Sequence, residues 1–230
     1  MKIVALFALL SVAVQLVNCH DLKLALSISP GYYHTCALER RQGVEVGGAL
    51  RCWGQDSQGQ SSPPPGIFKQ VSSGDLFSCA IGIDSKVKCW GKIRGTPDHR
   101  GFTQVSSGKA HACGLTANGK IECWGKNDHG ESKAPDHLYS QVSCGHTNTC
   151  GLRLDGSVEC WGKVYGKEMS PTTSKFTQID VGMKQRACGI TVGGDVKCWE
   201  SSKTNNECEL KEGKYRYGVW GLGFGLGLLY

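Results

Sequence analysis

The stretch that decides the fold is residues 102–125, which read FTQVSSGKAHACGLTANGKIECWG. An aromatic residue and the run QVSSG come first, and two cysteines ten residues apart follow, the second of them continued by Trp-Gly. The Cys-Trp pair occurs five times, at Cys52-Trp53, Cys89-Trp90, Cys123-Trp124, Cys160-Trp161 and Cys198-Trp199. The last four tryptophans follow at intervals of 37, 34, 37 and 38 residues. A period in this range indicates supersecondary units that are stacked or arranged around an axis.

Each unit predicts a β-hairpin closed by a disulfide. If Cys113 and Cys123 face each other, residues 117–119 form a three-residue loop with glycine last, a common hairpin closure. The same register places Leu115 opposite Ile121, and opposed strand positions are close enough for a disulfide. We therefore expect the pairs Cys36–Cys52, Cys79–Cys89, Cys113–Cys123, Cys150–Cys160 and Cys188–Cys198. Because strand side chains alternate, the structural tryptophans point to the other face, where we expect them to pack on the next repeat.

The first nineteen residues are typical of a secretory signal peptide. Lys2 precedes an almost wholly apolar segment, residues 3–17, which is too short for a stable membrane span. The alternative is a bacterial lipoprotein signal in which Cys19 carries the lipid. Secretion makes disulfides the expected state of the remaining cysteines.

Two cysteines lie outside the hairpins. The chain has 13 cysteines, and removal of Cys19 leaves 12, an even number suited to full pairing. Cys144 replaces a serine of the fourth repeat and Cys208 follows the fifth repeat, so parity favours a Cys144–Cys208 bond. Sequence alone does not fix that connectivity.

The repeated pattern resembles the regulator-of-chromosome-condensation repeat. The residues that carry the likeness in repeat three are Gly108, His111, Leu115, Gly119, Ile121, Trp124, Gly125, Asn127 and Gly130. The cysteine pair is similar to that of the extracellular repeats of crinkly-type plant receptor kinases. The resemblance implies an all-β propeller of small antiparallel sheets, here five cysteine-stapled blades over residues 20–212. Family propellers usually have seven blades, so the five repeats predict a five-bladed ring, an incomplete ring or a truncated gene product.

The loops between strands are the expected place for binding residues, because rigid scaffolds carry their contacts on loops. The predicted binding rim is Arg94, His99, Arg100, His129, His137, Tyr139 and Tyr165. Asp-His recurs at residues 98–99, 128–129 and 136–137, but no nucleophile elbow or His-Glu-x-x-His helix accompanies it, so we predict solvated loops rather than catalytic dyads. Histidine near cysteine lacks the Cys-x2-4-Cys spacing of zinc sites, and no cofactor motif occurs.

The C-terminal segment, residues 213–230, allows two interpretations. Residues 218–230 are uncharged, and Leu222, Phe224, Leu226 and Leu228 alternate with other residues, mostly glycine, on a period of two. That alternation favours a strand. The alternative is a removable signal for a glycolipid anchor, which would hold the protein at the cell surface.

These features predict a secreted, non-enzymatic scaffold that binds a secreted or cell-surface protein through its loops. The formal net charge is +6, with no basic block of the kind that contacts nucleic acid. The alternative is a lectin-like protein that uses the repeated tryptophans as stacking platforms for glycans. Buried tryptophans would remove the main support for that alternative.

Overall fold

The structure is a computed structural model that describes residues 25–40, 43–163, 174–182, 186–200 and 208–209. The predicted signal peptide and C-terminal segment lie outside these residues. The described part of the chain contains sixteen β-strands and no helix, in agreement with the predicted all-β class. The strands are β1 Ala25–Pro30, β2 His34–Glu39, β3 Ala49–Gly54, β4 Phe68–Ser73, β5 Phe77–Gly82, β6 Val87–Gly91, β7 Phe102–Ser107, β8 His111–Thr116, β9 Ile121–Gly125, β10 Tyr139–Cys144, β11 Asn148–Arg153, β12 Val158–Gly162, β13 Phe176–Val181, β14 Arg186–Thr191, β15 Val196–Glu200 and β16 Cys208–Glu209.

Successive groups of three strands form five antiparallel sheets, which we number 1 to 5 in chain order. The order within each sheet follows the chain, from β1-β2-β3 in sheet 1 to β13-β14-β15 in sheet 5. Sheet 5 has β16 as a fourth strand on the outer side of β15. Each sheet corresponds to one sequence repeat, so the predicted blades are confirmed.

The hairpin register also agrees with the prediction. Cys113 lies opposite Cys123, and Leu115 lies opposite Ile121. The turn places Gly119 in the left-handed region at a φ of 82°, where glycine has no steric penalty. All five hairpin disulfides are present, with Cα–Cα distances of 3.9 to 4.1 Å.

The core lies between the sheets. Each hydrophobic cluster joins the disulfide and aliphatic side chains of one sheet to aromatic and aliphatic side chains of the following sheet. In the junction of sheets 2 and 3, for example, Cys79, Ile81 and Val87 pack with Phe102 and Trp124. We call the face with the disulfide the trailing face and the face with the tryptophan the leading face. The expectation that each tryptophan packs on the next repeat was therefore wrong, because the tryptophans of sheets 2 to 5 pack on the preceding sheet.

Side-chain hydrogen bonds connect the first strands of consecutive sheets. Gln70 of β4 accepts from the Val105 amide at 2.9 Å and donates to the Val105 carbonyl at 3.2 Å. Gln141 engages both backbone groups of Ile179 in the same way, each at 2.8 Å. A serine two residues further along each strand accepts a backbone N–H of the next sheet, as in the 2.9 Å bond from the Ser107 amide to Ser72 Oγ. The donors at the other three junctions are the amides of Ser73, Cys144 and Val181.

The array has two ends, since the sheets do not close into a ring across the described residues. Trp53 and Ile28 on the leading face of sheet 1 are 47% and 53% exposed. Their counterparts Trp124 and Val105 in sheet 3 are 4% and 2% exposed. The described residues thus form an open array of five propeller-like blades, consistent with an incomplete propeller.

The predicted Cys144–Cys208 bond is absent, because Cys144 is a free, buried cysteine. Its strand β10 is the first of sheet 4, and first strands of consecutive sheets contact one another. Cys208 lies instead in β16 beyond the last strand of sheet 5, opposite Cys198. The parity argument failed because Cys144 lies in the first strand of sheet 4, whereas Cys208 lies in the last strand of sheet 5, at the other edge.

Candidate functional site

The loops lie along two edges of the array. We call the loop rim the edge formed by residues 31–33, 74–76, 108–110 and 145–147, which join first to second strands. The third strands also end there, since the Lys92 and Lys126 amides donate to carbonyls of Leu76 and Ala110. We call the turn rim the opposite edge, formed by residues 83–86, 117–120, 154–157 and 192–195, which join second to third strands.

A basic cleft opens on the loop rim between sheets 2 and 3. Its volume is about 470 Å³, and its lining includes Lys92, Ile93, Arg94, Ala110 and Lys126. Lys92, Arg94 and Lys126 are exposed, and Lys126 forms a 3.0 Å ion pair with Asp128. The cleft therefore offers three cations around a small apolar floor.

The basic character extends to sheets 3 and 4. The tripeptide Trp-Gly-Lys ends the third strand in sheets 2, 3 and 4, which places Lys92, Lys126 and Lys163 at equivalent positions of the loop rim. Burial and the ammonium group of Lys109 lower the pKa of His146, and Lys126 and Lys163 act in the same direction. The carboxylate of Asp75 opposes them. The lowered pKa of His146 thus reflects burial first, and the three nearby lysines add to the shift.

An aromatic pair lies on the loop rim at sheet 1. Tyr32 and Tyr33 are both exposed, and their rings meet edge to face at 4.5 Å between centroids. The Tyr32 amide donates to the Gly74 carbonyl of sheet 2 at 3.2 Å. This bond fixes the pair beside the loop of the next sheet. Exposed tyrosines of this kind are common in protein contact surfaces.

The turn rim carries ion pairs between consecutive repeats. Lys86 lies 3.1 Å from Asp98, Lys120 lies 2.5 Å from Asp136, and Lys175 lies 2.9 Å from Asp155. Each pair joins a hairpin turn to the segment that enters the next sheet. Since these charges pair with one another, the turn rim is less available to a charged partner than the loop rim.

The predicted binding residues do not form one surface. Arg94 and His129 are exposed on the loop rim, whereas His99 and Arg100 are exposed near the turn rim. His99 and His137 bind carboxylates of their own sheets, Glu122 at 2.8 Å and Glu159 at 2.9 Å. The predicted binding rim did not include Lys92, Lys109 and Lys126. The repeated Trp-Gly-Lys was a visible signal for Lys92 and Lys126, and Lys109 lies outside it.

The two tyrosines of the predicted binding rim have different outcomes. Tyr139 is only 1% exposed, so its assignment to the rim was wrong. It occupies the aromatic position that Phe102 has in sheet 3, and its hydroxyl donates to Glu159 at 2.8 Å. Tyr165 lies outside the described residues.

The Asp-His dipeptides are not dyads in the described residues. Asp98, Asp128 and Asp136 each pair with a lysine rather than with the adjacent histidine. One buried group, His111, Cys113 and Cys144, has potential ligand atoms within 4.8 Å of one another. A cysteine binds a metal as its thiolate, and Cys113 is already in a disulfide with Cys123. This group therefore does not suit a metal ion. No helix of the described residues is long and apolar enough to cross a bilayer.

Comparison with known proteins identifies one repeat by sequence and the array by structure. Residues 102–131 match the regulator of chromosome condensation (RCC1) repeat. No curated protein has a significantly similar sequence.

Among solved structures, the chain is similar to two crinkly-type ectodomains. The ectodomain of the Physcomitrella patens receptor kinase CR4 has 25% identity and a TM-score of 0.67, over 80% of this chain and 52% of that one. The CRINKLY WD40 ectodomain of the Arabidopsis thaliana receptor kinase ACR4 has 26% identity and a TM-score of 0.63, over 77% of this chain and 66% of that one. The chain thus spans about half of the first and two thirds of the second.

A third match extends the likeness to the RCC1 propellers. Prp20p of Saccharomyces cerevisiae has 15% identity and a TM-score of 0.61, over 75% of this chain and 56% of that one, which shows a shared fold. The chain therefore carries an RCC1-type repeat in an array like that of the crinkly ectodomains. Folds of this kind typically serve as scaffolds for protein interaction.

Proposed function

We propose that the protein is an extracellular, non-enzymatic scaffold that holds another secreted or cell-surface protein by its loop rim. Within that surface, the basic cleft between sheets 2 and 3 receives an acidic segment of the partner. The observation that carries the proposal is the cleft itself, a cavity of about 470 Å³ whose lining includes Lys92, Arg94 and Lys126.

The extracellular placement is supported by the disulfides and by the fold. Five disulfides in one small array suit an oxidising compartment. The receptor kinase neighbours are ectodomains. Residues 1–19, read as a signal peptide, are consistent with that placement.

Charge supports an acidic partner. Lys92, Arg94 and Lys109 are exposed on one edge, and Lys126 has only the exposed Asp128 as an ion-pair partner among the described residues. Exposed charges of one sign raise association rates with an oppositely charged partner and reject a like-charged one. The tyrosine pair of sheet 1 adds an apolar contact on the same rim.

The glycan alternative loses the argument on which it depended. Trp124, Trp161 and Trp199 are buried between sheets, so they are unavailable as stacking platforms. Trp53 alone among the five is more than one third exposed, and it lies at the end of the array.

The test compares two triple charge reversals in the full secreted chain. The first, Lys92→Glu with Arg94→Glu and Lys126→Glu, reverses the cleft. The control, Lys69→Glu with Lys88→Glu and Arg100→Glu, makes the same change of charge at exposed positions near the turn rim. The probes are a fluorescein-labelled polyglutamate peptide and a labelled heparin oligosaccharide, measured by fluorescence anisotropy.

We expect the polyglutamate affinity to fall about tenfold or more in the cleft variant and to change little in the control. Added salt should weaken wild-type binding, because it screens exposed charges. Equal losses in the two variants would show that net charge, and not the cleft, binds the probe. Binding of heparin without binding of polyglutamate would favour the glycan alternative.

A further inference from the structure

The trailing face of sheet 5 carries the groups with which the other sheets bind a following sheet. Gln178 occupies the position of Gln70 and Gln141, each of which binds both backbone groups of one residue in the next first strand. Val196 occupies the position of Val87, which packs against sheet 3. No sheet follows sheet 5 among the described residues, so its trailing face is one side of a junction without the other.

These groups are available to a partner. Gln178 has no side-chain hydrogen bond among the described residues, although the equivalent Gln70 and Gln141 each have two. Val196 is 41% exposed, whereas its counterpart Val158 is buried. The face thus combines exposed apolar surface with an amide positioned to bind one residue of a first strand.

The leading face of sheet 1 carries the matching groups. Trp53 has the position of Trp199, which packs on sheet 4, and it is exposed. Ile28 has the position of Ile179 and is also exposed, and its backbone groups bind no side chain in the described part of the chain. In sheet 5 both backbone groups of Ile179 bind a glutamine of the preceding sheet, so those of Ile28 suit Gln178.

We propose that copies of the chain associate head to tail, with the leading face of sheet 1 in one copy on the trailing face of sheet 5 in another. Gln178 of one copy binds the N–H and the carbonyl of Ile28 in the other, and Trp53 covers Val196. The contact repeats the four junctions within each chain. It goes beyond the proposed partner site, which lies on the loop rim, and does not depend on it.

The two faces also agree where they depart from the other junctions. In those junctions a serine of one sheet accepts an N–H of the next, as Ser143 does from Val181. Sheet 5 has Asp180 in place of this serine, and its carboxylate accepts from Ser143 at 3.3 Å, on the side of sheet 4. Sheet 1 has Pro30 at the position of the donor, and proline has no N–H. The junction between copies therefore lacks this bond on both sides and leaves no donor unpaired.

A glycine at the end of β13 permits the close approach. A Cβ atom on the equivalent Gly74 would lie 2.6 Å from the Gly108 carbonyl oxygen of the following sheet. At Gly182, a Cβ atom would meet nothing in the described residues closer than 3.5 Å. In the proposed junction, the Gly31 carbonyl of the second copy takes the place that the Gly108 carbonyl has beside Gly74.

The association depends on concentration. Sheet 1 has Ala25 at the position of the aromatic residue that the other sheets bury in their junctions, such as Phe102. The junction between copies therefore buries less apolar surface than a junction within the chain. Because it joins separate molecules, mass action leaves both faces free in the dilute solutions used for unfolding.

The experiment is sedimentation velocity of the full secreted chain over a range of concentrations. Val196→Asp places a charge on the trailing face of sheet 5, and Ile28→Asp places one on the leading face of sheet 1. Val192→Asp, at an exposed valine in the hairpin turn of sheet 5, is the matched control. Gly182→Ala is a milder variant, which sets a methyl group against the Gly31 carbonyl of the second copy.

We expect the average mass of wild type and of Val192→Asp to rise with concentration, toward a closed ring or longer chains. Val196→Asp, Ile28→Asp and Gly182→Ala should each weaken the association about tenfold or more. An equimolar mixture of Val196→Asp and Ile28→Asp should form dimers and nothing larger, because each chain contributes one intact face to a single junction.

A wild type that remains one chain up to about 1 mM would overturn the proposal. Association that Val196→Asp and Ile28→Asp leave intact would also overturn it, as would an equal loss in Val192→Asp. A mixture of the two face variants that forms no dimer would show that these faces do not meet, with the same consequence.

Discussion

At the scale of single residues, Cys144 is the side chain whose chemistry the fold alters most. It is completely buried at the junction of sheets 3 and 4, where the Thr149 hydroxyl lies 3.9 Å from its sulfur. Burial raises the pKa of its thiol to about 12. Its sulfur also lies within 4.8 Å of Cys113, which is disulfide-bonded. The high pKa keeps the thiol protonated, and a protonated thiol does not attack a disulfide.

We therefore predict that Cys144 is inert in the folded protein. Iodoacetamide at neutral pH should leave the Cys144 peptide unmodified in the native state and modify it after unfolding without reductant, as read by peptide mass spectrometry. Native modification at the rate of an exposed thiol would contradict the burial. Modification found only after reduction would mean that Cys144 is in a disulfide after all.

His111 gives a prediction about pH. Burial is the largest cause of its pKa shift and lowers the pKa to about 4. Its Nε2 lies 2.8 Å from the Thr149 hydroxyl. Because the unfolded chain binds a proton near pH 6.5 and the folded chain does so near pH 4, acid favours unfolding between these values. Stability from this residue is complete above pH 6.5 and falls by on the order of 3 kcal/mol toward pH 4.

Urea unfolding at several pH values tests the effect. His111→Asn is the informative variant, since Asn148 occupies the same position in sheet 4. The wild type should lose stability between about pH 6.5 and 4, and the variant should lose less. His34 and His146, whose pKa values burial also lowers, add to the slope in this range, whereas the raised pKa of His99 opposes it. An unchanged slope in the variant would show that His111 is not the group responsible.

At the scale of elements, a glycine at the end of each first strand brings consecutive sheets together. A Cβ atom on Gly74 would lie 2.6 Å from the Gly108 carbonyl oxygen of sheet 3 and 2.5 Å from the Phe77 ring. Gly182 has the same place in sheet 5, where, within the described part of the chain, a Cβ would meet only the Arg186 carbonyl, at 3.5 Å. The close approach therefore depends on the presence of a following sheet.

The pair predicts opposite outcomes for the same substitution. Gly74→Ala should destabilise the protein by about 1–3 kcal/mol, because backbone atoms must shift to admit the methyl group. Gly182→Ala should be close to neutral, since its φ is not in the left-handed region. Thermal or urea unfolding of both variants measures the difference. A similar loss in both would mean that the glycines serve backbone conformation and not the junction.

The hairpins were predictable from the sequence, but the repeat on which each face of a hairpin packs was not. Cys113, Leu115 and Gly119 determine strand, partner and turn locally, so their register follows from a window of about a dozen residues. The sequence gives no sign of which face meets which repeat, because both faces of a hairpin are apolar. The tryptophan was therefore assigned to the wrong neighbour. Tyr139 was also misplaced, although its alignment with the buried Phe102 at the start of a first strand was visible in the sequence.

At the scale of the whole molecule, each sheet is stabilised by both neighbours except at the two ends. The repeated glutamine and serine bonds, the buried valines and the disulfide clusters all belong to junctions rather than to single sheets. Stability in such arrays depends on interfaces between neighbouring units. The number of repeats was visible in the sequence, but the open ends depend on geometry that no single repeat encodes.

The same tryptophan substitution in different sheets measures this dependence on position. Trp124 is buried against sheet 2 and contacts Phe102 edge to face at 6.3 Å, and its indole N–H has no hydrogen-bond partner among the residues that the structure describes. Trp124→Ala should therefore cost about 3–5 kcal/mol, almost entirely from lost packing. Trp53→Ala at the start of the array should cost about 1 kcal/mol or less, because that ring has no preceding sheet in the described residues.

Urea unfolding of the two variants separates the possibilities. A small loss at Trp124 would contradict the packing of sheet 3 on sheet 2. An equally large loss at Trp53 would leave that packing intact and show that another segment or another molecule covers the leading face of sheet 1. In that case the array is not open at its start, and the covering element would be found by crosslinking at Trp53 and Ile28, two of the side chains that sheet 1 leaves exposed on that face.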